Sequence, residues 1–416
     1  MGLLPGSLTP HAAECLVRLG AWLPFGRAAE LLAGCLRVEV SEATVRRYTE
    51  AAGAAYEVVQ KAEVERIERE ALPAASGPAK LVLSVDGAMV PLVHGEWAEV
   101  KTLAQGVVGE PVRRGAEWVV HTTDLSYFSR MLEAEAFSRQ ALGEIHRRGV
   151  ENAGQVAAVM DGAEWEQRFV DFHCPGAVRI LDFPHAAARV SQIGDAVWGE
   201  GQALTRQWRE QRLHGLKHDG PADLLRELRA LHAQHPEQKV LAENLAYLEK
   251  REGHLHYPDY QAQGWPIGSG MVESANKVVV EARLKGAGKH WAPCHVNPML
   301  ALRNLVCNDR WDEGWAQIST QLRQQQTQRQ MNLRHKRHLP PVSPAPALSA
   351  VASPTCAPSS GPPVAPPVTV SSGADMANKV TPPRGPYRPA PDHPWRHSPI
   401  GRARFKPYHR DEPPKT

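Results

Sequence analysis

Three acidic residues stand in settings where metal-assisted chemistry could be built. Asp86 lies in the apolar run Leu81-Val82-Leu83-Ser84-Val85-Asp86-Gly87, which reads as a buried strand. Asp161 closes a second such run, Val156-Ala157-Ala158-Val159-Met160-Asp161-Gly162. Glu273 lies in Gly268-Ser269-Gly270-Met271-Val272-Glu273-Ser274-Ala275-Asn276-Lys277, a glycine-rich turn leading into a helix. Two carboxylates at strand ends and one on a helix can meet at one point in space. Gathering their negative charge is costly unless a cation is held there. Hard oxygen donors select Mg²⁺ or Mn²⁺. A pair of such ions is the usual device for in-line attack on a phosphodiester. Taken singly, each residue has an ordinary structural alternative. Val-Asp-Gly at a strand end is more often a hairpin turn, and a glutamate in a first helical turn commonly complements the helix dipole. The combination is what points to chemistry.

The stretches around these residues resemble the DDE transposases of bacterial insertion sequences, specifically the ISKra type. The resemblance rests on Ser84-Val-Asp-Gly-Ala-Met-Val-Pro-Leu, Glu96-Trp-Ala-Glu-Val-Lys-Thr-Leu, His121-Thr-Thr-Asp-Leu-Ser-Tyr-Phe and Asp161-Gly-Ala-Glu-Trp. It continues through Arg179-Ile-Leu-Asp-Phe-Pro-His-Ala, Pro266-Ile-Gly-Ser-Gly-Met-Val-Glu-Ser-Ala-Asn-Lys and Asn297-Pro-Met-Leu-Ala-Leu-Arg-Asn, and so spans residues 8 to 315. It implies an RNase H-like catalytic core, a Mg²⁺- or Mn²⁺-dependent reaction on DNA ends, and a DNA-binding segment ahead of the core. In phosphoryl-transfer chemistry Asp86 would bridge two ions. Asp161 would bind the ion that activates the attacking water or 3′-hydroxyl, and Glu273 the ion that stabilises the leaving oxygen. Which ion belongs to which residue stays interchangeable.

Other residues are candidates for accessory roles. Asp182 and His185, in Arg179-Ile-Leu-Asp182-Phe-Pro-His185, look like the acidic-x-x-His pair that many DDE transposases carry after the second aspartate. They either orient flanking DNA or a metal-bound water, or fix the chain by a strand-end hydrogen bond. Lys277, one turn beyond Glu273, either meets a DNA phosphate or pairs with Glu273 or Glu281. Lys285 and Lys289, in Lys285-Gly-Ala-Gly-Lys289-His290-Trp291, suit a DNA backbone, with a solvated loop as the alternative. Asp124 and Glu164 read as structural. No Walker lysine–serine pattern is present, so ATP is not implied.

Positioning these residues requires an α/β chain in three parts. Residues 8–72 read as helical. An apolar stripe at Ala28, Leu31, Leu32 and Cys35, then Ser41 as the N-cap of a helix from Glu42 to about Gly53, make a helix–turn–helix candidate. Its second helix offers Thr44, Arg46 and Arg47 to DNA, the alternative being a helical hairpin used for packing. A charged helix over 53–78 ends at the break Leu72-Pro73 to Gly77-Pro78. Residues 79–320 read as the core, with strands 81–86, 97–108, 117–123, 155–160 and 178–183 and helices 134–148 and 164–173. This β-β-β-α-β-α-β order matches the RNase H-like mixed sheet. Residues 186–262 read as a helical insertion, followed by helices 271–285 and 296–307. Residues 334–416 form a Pro/Ser/Ala-rich tail, predicted to be disordered because it cannot bury a core.

Charge and cysteine usage narrow the class of protein. The net charge of +3 hides an asymmetry: from residue 321 onward there are 14 Lys/Arg against 4 Asp/Glu, leaving −7 on the preceding residues. DNA binding would therefore come from local basic patches and the tail. The six cysteines lie at no CxxC spacing, which argues against a zinc ribbon or redox motif. They read as reduced thiols of a cytoplasmic protein. No signal-peptide pattern or bilayer-length apolar run is present. The expectation is a nucleoid-associated bacterial transposase that acts, as a homo-oligomer, on double-stranded terminal inverted repeats and target DNA. Its rivals are an RNase H-like nuclease, and a DNA-binding regulator or inactive remnant.

Overall fold

Apolar alternation on two central runs dictates a sheet that is covered on both faces. In the computed structural model, which describes residues 8–115 and 117–338, three helices come first: α1 (Pro10–Trp22), α2 (Phe25–Leu36) and α3 (Glu42–Glu70). The sheet region follows as β1 (Lys80–Pro91), β2 (Trp97–Val108), β3 (Val112–Arg114), β4 (Glu117–Val119), β5 (Thr122–Arg130), α4 (Ala134–Arg147), β6 (Gln155–Met160), α5 (Glu164–His173) and β7 (Val178–Leu181). A helical run succeeds it: α6 (Phe183–Trp198), α7 (Ala203–His218), α8 (Pro221–Gln234), α9 (Lys239–Glu249) and α10 (Tyr257–Ala262). The chain then passes through α11 (Gly270–Ala275), a π-helical stretch Asn276–Glu281 and α12 (Ala282–Leu284), and finishes with α13 (Pro293–Cys307) and α14 (Trp311–His338).

The main sheet has the order β5-β2-β1-β6-β7, with β3 and β4 forming a separate small hairpin. β1 pairs antiparallel with β2 and parallel with β6, β6 pairs parallel with β7, and β2 pairs antiparallel with β5. The chain is thus a mixed α/β protein with a five-stranded mixed sheet. One face of the sheet carries Leu81, Leu83, Val85, Ala158 and Met160 against Phe137, Ile145 and Phe169 of α4 and α5. On the opposite face, Val82, Ala157 and Val159 pack beneath Val190, Leu225, Leu245 and Tyr257 of the helical run. Farther along the same face, Val90 meets Val279, Val280 and Leu284. The alternation of strand side chains assigns Asp86 and Asp161 to this second face.

Several expected boundaries moved. Asp86 is not at a strand end: β1 runs on to Pro91 because β2 pairs with it along that whole length, from Leu81↔Val107 to Pro91↔Trp97. The third long strand is β5 over 122–130 rather than 117–123, since Ser126, Phe128 and Arg130 supply its inward face while 112–119 folds on itself. The expected pair of helices meeting near Gly53 is one continuous helix, α3. Gly53 lies inside it where any Cβ would collide with the Pro298 backbone of α13, so the glycine serves a close helix crossing and does not end the helix. α14 continues to His338, into the start of the segment read as tail. The remainder of that tail, including the basic stretch 396–410, lies outside the described residues.

The expected boundary at 72–78 falls in the α3–β1 connection. Across it, Leu16, Val17, Leu32, Val45 and Tyr56 of α1–α3 share an apolar core with Leu302, Leu305, Trp311 and Ile318 of α13 and α14. No helix among the described residues is long and apolar enough to cross a membrane.

Candidate metal centre

Strand register brings the two aspartates level. β1 and β6 pair in parallel from Lys80↔Gln155 to Leu83↔Ala158, and three residues beyond that last pair stand Asp86 and Asp161. A third carboxylate joins them from α5. Ligand oxygens of Asp86, Asp161 and Glu166 all lie within 4.8 Å of one another. Glu166 is buried at 1% exposure, and no pattern in the sequence singles it out. It looks like one of two ordinary first-turn glutamates of α5, and its fifth-residue offset from Asp161 becomes meaningful only once the tight turn between them is known.

That turn is held from several directions. Gly162 adopts φ +88°, the left-handed region, and a Cβ there would strike Arg251 and Leu181, so glycine is required. The Asp161 carboxylate accepts the Ala163 N–H at 2.8 Å, and Glu166 accepts those of Gly162 at 3.1 Å and Ala163 at 3.2 Å. From the helical run, the Tyr247 hydroxyl donates to the Asp161 carbonyl, and Arg251 donates to the Gly162 carbonyl at 2.6 Å and 3.2 Å. Arg251 lies 3.8 Å over the Tyr247 ring. The helical run therefore clamps the backbone that presents Asp161.

Charge crowding is visible in the acids. Burial, reinforced by the nearby Asp161 charge, raises the Asp86 pKa even though the Gly87 N–H donates to it at 2.7 Å. Burial, followed by the hydrogen bond and charge of Asp161, pushes Glu166 up to about 10. Without a cation, Glu166 carries a proton at neutral pH, which removes one negative charge from the cluster.

Asp182 and His185 form a second unit beside the first. Asp182 is fully buried and caps α6, accepting the His185 N–H at 3.0 Å and the His185 Nδ1 at 2.7 Å on one oxygen. Its other oxygen takes the Ser269 N–H at 2.6 Å. Burial alone would raise Asp182, but these hydrogen bonds outweigh it and lower its pKa. His185 is raised, first by its bond to Asp182 and further by the charges of Asp182, Asp161 and Asp86, against an opposing burial effect.

The stretch Gly270–Leu284 supplies the other side of the site. Asn276 is buried and donates Nδ2 to Asp86 Oδ2 at 2.8 Å, while its own Oδ1 has no partner among the described residues. Glu273 is exposed and stands outside the three-carboxylate cluster. It sits three residues before Asn276, a spacing that makes near neighbours on a helix. Lys277 is exposed and makes no ion pair among the described residues; Glu281 pairs instead with Lys285 at 2.6 Å. Lys289 turns back onto the carbonyls of Arg283 and Lys285, each at 3.4 Å, so both lysines close the end of this helix. Asp124 pairs with Arg148 at 2.8 Å and Glu164 with Lys250 at 3.0 Å. On α3, Ser41 caps Thr44 at 3.2 Å, and Arg46 and Arg47 are exposed.

The donor set fits a hard divalent cation. All the converging atoms are oxygens, with neither sulfur nor imidazole among them. Compared with known proteins, the chain matches no family model and no curated protein sequence. The class defined by fold and site is therefore a mixed α/β protein with a carboxylate cluster suited to a metal ion.

Proposed function

We propose that this chain is a DDE transposase of an insertion sequence, built on an RNase H-like core and acting with Mg²⁺ or Mn²⁺ on DNA ends. One observation carries the reading. Asp86 on β1 and Asp161 just past the end of the parallel β6 stand level, on the face against which Asn276 ties the helix bearing Glu273. Two divalent ions, when bound, would activate the attacking oxygen and stabilise the leaving one. Asp86 and Asp161 hold their carboxylates toward that position from a rigid sheet, and Glu273 would complete the set from the helix. Glu166 fixes the Asp161 turn, Tyr247 and Arg251 fix its backbone, and His185 offers an imidazole near the acids whose proton affinity Asp182 raises. The exposed Arg46 and Arg47 on a well-capped helix support DNA contacts by α3. A homo-oligomer is expected because two DNA ends must be joined.

The test is cleavage and joining by the purified protein on duplexes carrying the inverted repeats that flank its gene. Parent protein with Mg²⁺ should nick the repeat ends and insert them into target DNA. Asp161→Asn and Glu273→Gln should each reduce both steps by about a thousandfold or more, while keeping DNA binding. Cleavage without joining would indicate a nuclease. Undiminished activity in Asp161→Asn would overturn the site.

A further inference from the structure

The Asn276 side chain is buried at 6% exposure, and its Nδ2 is committed to Asp86. Among the described residues no hydrogen-bond donor reaches its Oδ1, which is sealed from solvent. An orphaned buried acceptor costs about 1–3 kcal/mol, and a native structure that retains one commonly does so for an absent ion or water. Here the orphan belongs to an amide lying directly against a three-carboxylate cluster. Asn276 is also the first residue of a π-helical turn, Asn276–Glu281. Such turns are rare and collect at functional sites. This one is held in place from α13: the buried Arg303 donates to the Val279 carbonyl at 3.1 Å and to the Val278 carbonyl. The local backbone is thus built to aim a residue at Asp86.

We infer that Asn276 is a neutral metal ligand, its carboxamide Oδ1 joining Asp86 and Asp161 around one divalent cation. This rests on the proposed reading of the carboxylate cluster as a metal centre. Amide carbonyls are ordinary ligands for hard cations. A neutral oxygen adds coordination without adding a further negative charge to Asp86, Asp161 and Glu166. The Nδ2 bond to Asp86 then acts as a brace that orients one ligand by another. Were the brace the whole role of Asn276, Asn276→Asp, which keeps an oxygen but loses the amide donor, would weaken cation binding as Asn276→Ala does.

The aspartate variant separates the two roles, so the inference is testable without any reaction. Mn²⁺ binding to the full-length protein would be measured by titration calorimetry, alongside metal-free thermal unfolding as a check on folding. Parent protein should bind Mn²⁺, and Asp86→Asn should abolish that binding. Asn276→Ala should weaken it about tenfold, a loss typical of removing one contributor to a metal site. Asn276→Asp retains an oxygen at the ligand position and should bind at least as tightly as parent. It also serves if the alanine variant does not fold, and loss of Mn²⁺ binding in it would overturn the inference. Parent-like affinity in Asn276→Ala would overturn the ligand role alone, leaving the carboxylate site standing. Absence of Asp86-dependent Mn²⁺ binding in the parent would overturn both.

Discussion

The two halves of the site are constructed by different means. On the sheet side, Asp86, Asp161 and Glu166 converge within 4.8 Å and are braced by backbone N–H groups, Tyr247 and Arg251. On the helix side, Glu273 is exposed, and Asn276 alone reaches the cluster through one bond. The sheet half is assembled in the metal-free chain. The helix half depends on how the stretch Gly270–Leu284 is seated. Its moorings include the Ser269 N–H on Asp182 at its start, the Arg303 guanidinium under its π-turn, and the bonds from Arg283 to the Gly20 carbonyl and from Trp291 to the Leu284 carbonyl near its end. Those moorings set how far the helix half can be disturbed while the sheet half stays intact.

Removing the Arg303 mooring should have the largest effect on stability. Arg303 is buried on α13 and donates to Val279, to Val278, and to Ala21 at the end of α1, at 3.2 Å for the last. It also lies 4.4 Å over the Trp22 ring. Arg303→Met fills similar space but removes the guanidinium donors from three carbonyls, at a cost on the order of 3 kcal/mol. Urea unfolding would measure the loss. Hydrogen exchange should quicken over 270–284 before it quickens in β1 or β6. Uniform quickening, or none, would mean that apolar packing of Val279, Val280 and Leu284 seats the helix by itself.

The contrast between the halves also explains what was legible in the sequence. Strands earned by apolar runs, such as β6, and helices with clear periodicity, such as α4 and α5, were read almost to the residue. Asp86 and Asp161 were found because each interrupts or ends an apolar run. Glu166 was missed because its importance comes from a turn at Gly162 whose left-handed backbone no pattern announces. Asn276 was read only as part of a motif, since a π-turn depends on Arg303, which is distant in sequence. Tyr247 lies on α9 and Arg251 in the turn after it, and their docking onto the Asp161 turn is wholly tertiary. The length of α3 was underestimated because Gly53 looks like a stop until Pro298 is placed beside it.

A smaller effect, of opposite sign, is expected within the sheet half. Glu166 has its pKa raised from 4.5 to about 10, chiefly by burial and then by Asp161. Between those values the folded chain holds a proton that the unfolded chain has released, so this group makes stability fall as pH rises. Glutamine reproduces the protonated acid: its carbonyl can accept the Gly162 and Ala163 N–H groups, and its amide can donate to Asp161. Glu166→Gln should therefore stabilise the metal-free protein at pH 8, on the order of 2 kcal/mol, and flatten the decline toward pH 9. Thermal unfolding in chelator across pH 6 to 9 reads both. A destabilised variant with an unchanged slope would mean that Glu166 is ionised in the metal-free chain.

The smallest effect belongs to the joint between the halves, where Asp182 holds His185 with one oxygen and Ser269 with the other. The His185 pKa is raised by Asp182, so its contribution is complete below the unfolded value of about 6.5 and fades as pH rises through the higher folded value. Asp182 is lowered by its hydrogen bonds, so its contribution is present above the unfolded value of about 3.9 and is lost as pH falls through the lower folded value. The ion pair is therefore fully expressed between about pH 4 and 6.5. His185 is nearly half exposed in this pair, and solvent screening limits its worth to about 0.5 kcal/mol. His185→Ala keeps both backbone donors to Asp182, so the helix half should remain seated. Its unfolding midpoint should fall slightly at pH 6, and the deficit should shrink as pH rises through the folded His185 value. A deficit that persists undiminished at alkaline pH would assign His185 a packing role and leave the Ser269 bond as the only contribution of Asp182 to joining the halves.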